Sequence, residues 1–121
     1  MSKRRNEALA QDILSLLQKN EMWIDTRIFF NGKAFATDNG AKEYRYNGEP
    51  FVLEPINPVD YFEYAASPDK HILSMSFEGP LYEVINYGLD HRFADQFQEL
   101  FRKHGVYYEL GHAWNLTCYE I

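Results

Sequence analysis

Four histidines, one cysteine and eighteen carboxylates are the side chains of this 121-residue chain that could do acid-base, nucleophilic or metal chemistry. Their spacing argues against most of it. His71, His91, His104 and His112 show no short ligand pattern such as His-Glu-x-x-His, and three of them fall at the ends of expected elements, so no metal site is expected. His104 closes a helix, where its charged form suits the dipole. Cys118 could be a thiolate nucleophile with His112 or His104 as its base. His112 lies about six strand residues away, roughly 20 Å at about 3.3 Å each, and Cys118 alternates with Trp114 and Leu116 and so points inward as an inert apolar residue. Carboxylate pairs such as Asp60 with Glu63 and Glu83 with Asp90 are accompanied by no phosphate loop, nucleophile elbow or dinucleotide motif. Neither a catalytic residue nor a cofactor is expected.

Charge is more informative. Twelve bases and eighteen acids leave a net charge of −6, and three of the bases, Lys3, Arg4 and Arg5, stand together at the N-terminus. Between Glu49 and His91 eight acids face a single base, Lys70. Phosphate binding needs clustered Lys and Arg, so this segment is a poor nucleic-acid surface and suits a basic protein partner. Aromatic rings are interleaved with the acids, and tyrosine offers contact area with a polar tip. The leading expectation is therefore a non-catalytic interaction protein, of inhibitor or immunity type, contacting a basic surface through Glu54, Asp60, Tyr61, Glu63 and Tyr64. The alternative is a ligand-binding or enzymatic cup, with His71, His104 and Tyr108 supplying its polar groups.

The elements that must position these residues follow from periodicity and turn chemistry. Leu9, Ile13, Leu16 and Leu17 recur at helical spacing over 6–20, with Asn6 as N-cap and Lys3 to Arg5 as a loose basic arm ahead of it. Two Asn-Gly pairs, at Asn31-Gly32 and Asn47-Gly48, predict tight hairpins. The first sets Ile28 opposite Phe35 and Thr26 opposite Thr37; the second pairs Tyr44 with Phe51, on an edge because of Pro50. Asn57-Pro58 opens a short helix through about Ala65. His71 to Phe77 and Leu81 to Tyr87 read as a third hairpin about Glu78-Gly79-Pro80, with a helix as the other option for the second arm. Phe93, Phe97, Leu100 and Phe101 stripe a helix over 90–104, braced by Glu99 and Lys103 and stopped by Gly105. A last hairpin with a loop at Gly111 to Ala113 sets Leu110 against Trp114, Tyr108 against Leu116 and Val106 against Cys118.

With 45% hydrophobic residues the chain can bury a core as one domain. A lone cysteine forms no intrachain disulfide, and no apolar run approaches the roughly 18 residues of a membrane span, so a cytoplasmic protein is expected. The element order predicts an α+β fold: a curved antiparallel sheet of hairpins, with two longer helices and one short helix on one side.

Overall fold

A computed structural model describes residues 1–40, 42–56 and 70–121. The chain is α+β, and the described residues form three helices packed against a six-stranded antiparallel sheet. The elements run α1 (Lys3–Lys19), β1 (Thr26–Phe30), β2 (Lys33–Ala36), β3 (Phe51–Leu53), β4 (Ser74–Phe77), α2 (Pro80–Tyr87), α3 (His91–Lys103), β5 (Val106–Leu110) and β6 (Asn115–Glu120). The strand order is β3-β2-β1-β4-β6-β5. On the helix side, Ile28, Phe30, Phe35, Met75, Phe77, Leu116 and Cys118 meet Leu9, Ile13 and Leu17 of α1 and Phe93, Phe97 and Phe101 of α3 in one core. The opposite face carries a small second cluster, Phe29 and Ala34 with Leu53 and Ile56.

The first hairpin forms as its Asn-Gly turn dictates. Asn31 and Gly32 have φ of 51° and 74°, the pair of positive values a type I′ turn requires, and Ile28 stands opposite Phe35. The second Asn-Gly pair does not make a hairpin. Tyr44 bridges to Asp38 and Phe51 pairs with Ala36. Asn47 instead docks on the end of α1: its Oδ1 accepts from the Trp23 amide at 3.3 Å and its Nδ2 donates to the Gln18 carbonyl at 3.1 Å. Long-range bonds to the helix exit outcompete the local turn. Pro50 does precede an edge strand, β3.

The third expected hairpin is a strand followed by a helix. Pro80 opens α2 at its first position, Leu81 and Val84 are its buried residues, and Gly88 ends it in the left-handed region. Spacing of three along this short apolar run is helical, and Gly79 lets the chain turn between strand and helix under close contact: a Cβ there would sit 2.7 Å from the Ile24 carbonyl oxygen. The helix expected over 57–65 lies outside the described residues.

At the N-terminus, α1 begins at Lys3 rather than Asn6, and the loose arm is replaced by a helical turn. Ser2 is the N-cap, accepting from the Arg5 amide. Three bases at a helix start oppose the macrodipole, and tertiary bonds offset this. Asn31 Nδ2 donates to the Lys3 carbonyl at 2.8 Å, buried Asn6 donates to Asn31 Oδ1 at 3.2 Å, and Arg5 reaches the His104 carbonyl at the end of α3 at 3.4 Å. In α3, Asp90 is the N-cap and Phe93, Phe97 and Phe101 are buried, as the stripe predicts. Glu99 pairs with Arg102, 2.6 Å away, rather than with Lys103. Gly105 stops the helix with φ of 76°.

The last hairpin is shifted by two residues from the expected register. Leu110 pairs with Leu116, Tyr108 with Cys118 and Val106 with Glu120. A two-residue shift preserves which face each side chain takes, so Val106, Leu116 and Cys118 are still buried. The extra residues go into the loop, which Asn115 closes by accepting from the His112 amide at 2.8 Å, and Trp114 leaves the sheet to stack on His112.

Candidate functional site

A cleft of about 490 Å³ opens at one end of the two central strands. It is lined by an ion pair between β1 and the chain just after β2. Arg27 on β1 stands opposite Ala36, so Asp38, two residues further on, shares its face one step along. The guanidinium grips Asp38 bidentately, Nε to Oδ1 at 3.1 Å and Nη2 to Oδ2 at 2.8 Å. The Gly40 amide also donates to Asp38, at 3.1 Å. This fork-to-fork geometry fixes both side chains.

Asp25 and Glu78 supply further carboxylates to the cleft lining, and Tyr44 and Trp114 its exposed rings. Asp25 and Glu78 are joined through the backbone, the Glu78 amide donating to the Asp25 carbonyl at 3.0 Å. Tyr44 is held by its bridge to Asp38 and by the Arg45 amide, which donates to the Thr37 carbonyl at 2.8 Å. The loop bearing Trp114 is tied twice: the Phe77 amide donates to the Trp114 carbonyl at 2.8 Å, and Asn86 of α2 donates to the Ala113 carbonyl at 2.7 Å. The two rings are 53% and 44% exposed, so their faces are open to a bound group. The lining holds three carboxylates, Asp25, Asp38 and Glu78, and one base, Arg27, which Asp38 already occupies. Such a site suits a cation: carboxylates attract it, and a ring face holds it by cation–π contact worth about 0.5–2 kcal/mol.

Glu54 is exposed just after β3, and Asp60, Tyr61, Glu63 and Tyr64 lie outside the described residues. His71, His104 and Tyr108 do not converge on one cavity. His104 Nε2 lies 2.7 Å from Asp12 Oδ2 in a groove between α1 and α3. Tyr108 packs on Phe97 and Phe101, and burial holds its hydroxyl above the ordinary tyrosine range, with Gln98 acting the other way. His71 Nε2 lies 2.8 Å from Ser74 Oγ, which lies 3.1 Å from Thr117 Oγ1. That is the spacing of a base and its nucleophile, but Ser74 has no exposed surface, so the three groups serve one another inside the sheet. Burial lowers His71 to about 4 and pushes the Cys118 thiol well up, leaving both neutral near pH 7. Among the described residues no group of three His, Cys, Asp or Glu side chains could hold a metal ion, and no helix is long and apolar enough to cross a membrane.

Part of the cleft was within reach of sequence reasoning. The first hairpin's register sets Arg27 and Asp38 on one face, and Asp38-Asn39-Gly40 is turn chemistry. Trp114 gave no such signal, because its place depends on β4 pairing with β6 across about forty residues of sequence. In comparisons with known proteins, no family model matches the chain, and no curated protein or solved structure matches it either.

Proposed function

We propose that this chain is a non-catalytic interaction protein that seats a basic side chain of a protein partner in the cleft between Asp25, Glu78, Tyr44 and Trp114. The observation that carries this reading is the pairing of two well-anchored, exposed rings with carboxylates that outnumber the one occupied base. The net charge of −6 supports it from a distance, since an acidic protein steers a basic partner toward itself.

The reading is tested with an end-blocked tetra-arginine peptide as the probe, followed by Trp114 fluorescence and by calorimetry. Trp23 is fully buried, so the exposed Trp114 dominates any change on binding. Binding should weaken about tenfold in the Asp25→Asn/Glu78→Gln double variant and again when salt rises from about 0.05 to about 0.5 M. Equal affinity of the wild type and the double variant for the peptide would overturn the assignment.

A further inference from the structure

The sheet has two edges of different character. β3 is three residues long and is bracketed by Pro50 and Pro55, the usual means of blunting an edge. β5 has five residues, no proline, lysine or bulge, and two exposed apolar side chains, Tyr107 and Leu110. Its inner hydrogen bonds can be placed. The Ile121 amide donates to the Gly105 carbonyl at 3.0 Å and the Gly111 amide donates to the Asn115 carbonyl at 3.3 Å. In an antiparallel ladder such pairs alternate, so the odd-numbered residues of β5 bond to β6. The amides and carbonyls of Val106, Tyr108 and Leu110 point away from the sheet.

We propose that two copies of this chain pair antiparallel through β5, about a two-fold axis at Tyr108, to form one continuous sheet. Three outward-facing residues make a self-complementary set. Tyr108 exchanges both bonds with Tyr108 of the second copy, and Val106 pairs with Leu110 in each direction, an isologous contact that closes on itself. The charges agree with this occupant. Glu109 falls opposite Tyr107 of the second copy rather than opposite another carboxylate. α3 packs along β5 with Phe97 and Phe101 on Tyr108, so the same axis sets the two copies of α3 antiparallel to each other on one side of the continuous sheet. An unrelated extended segment would find the same backbone groups but not this self-matching register, in which the carboxylates of Glu109 are kept apart.

Sedimentation equilibrium across a concentration series tests the pairing, with circular dichroism confirming the fold of each variant. The wild type should associate to twice 14.3 kDa. Leu110→Pro removes an outward amide that the sheet does not use and should return the protein to monomer. Tyr107→Glu places a carboxylate opposite Glu109 at both symmetric positions and should weaken association about tenfold, whereas Tyr107→Lys should not. A species that stays monomeric to about 1 mM overturns the proposal and leaves the edge to another protein's extended segment. So does a dimer that Tyr107→Glu and Tyr107→Lys affect equally.

Discussion

His71 is the side chain whose environment most changes its chemistry. Its ring accepts or donates to a serine hydroxyl that is itself bonded to Thr117, and burial brings its folded-state value from 6.5 to about 4. The unfolded chain therefore takes up a proton near pH 6.5 that the folded chain refuses until about 4. Stability is level above the unfolded value and falls as pH drops from about 6.5 to 4, by up to about 3 kcal/mol. Urea unfolding at pH 7.5 and 4.5 should show this loss, and His71→Gln should remove most of the pH-dependent part. An unchanged slope in that variant would assign the loss to other groups. Cys118 illustrates the same physics in reverse: the burial that makes it a core residue keeps its thiol protonated and unreactive.

Among the elements, α2 depends on the glycine before it. Gly79 has φ of −93°, a value open to any residue, so its role is one of space. Gly79→Ala should drive a methyl group against the Ile24 carbonyl and cost about 1–3 kcal/mol. Gly48→Ala is the control. Its φ is not positive and the nearest atoms to a Cβ lie 3.9–4.0 Å away, so thermal unfolding should barely move. Equal costs at the two sites would show that chain flexibility rather than contact sets the penalty at Gly79. The two Asn-Gly pairs make a related point. A turn residue specifies a hairpin only while the flanking strands have no better partner; Asn47 has one at the end of α1.

At the scale of the molecule, the first turn of α1 belongs to the folded body. It rests on the first hairpin through Asn31 and on the end of α3 through Arg5. Deleting residues 1–5 removes the Ser2 cap and the Asn31 bond to Lys3 and should lower stability by about 2 kcal/mol. A denaturation midpoint unchanged by the deletion would restore the loose basic arm expected from sequence. The cleft is also a property of the whole. Its lining comes from β1, β4, the chain after β2 and the loop before β6, so a partner bound there would report on the assembled sheet rather than on any one segment.

Local chemistry sufficed for several of these features. The Phe93, Phe97 and Phe101 stripe, the Gly105 stop and the Asn31-Gly32 turn each involve residues within a few positions of one another, and all appear as read. The α+β class follows from that pattern together with the hairpin registers. Features that join distant segments were not legible: the docking of Asn47, the start of α1 and the exposure of Trp114. Each is settled by which long-range bonds or contacts outweigh a local preference of about 1 kcal/mol. The cleft divides along the same line. Arg27 and Asp38 follow from one hairpin, while Asp25, Glu78, Tyr44 and Trp114 meet only once β4 has paired with β1 on one side and β6 on the other.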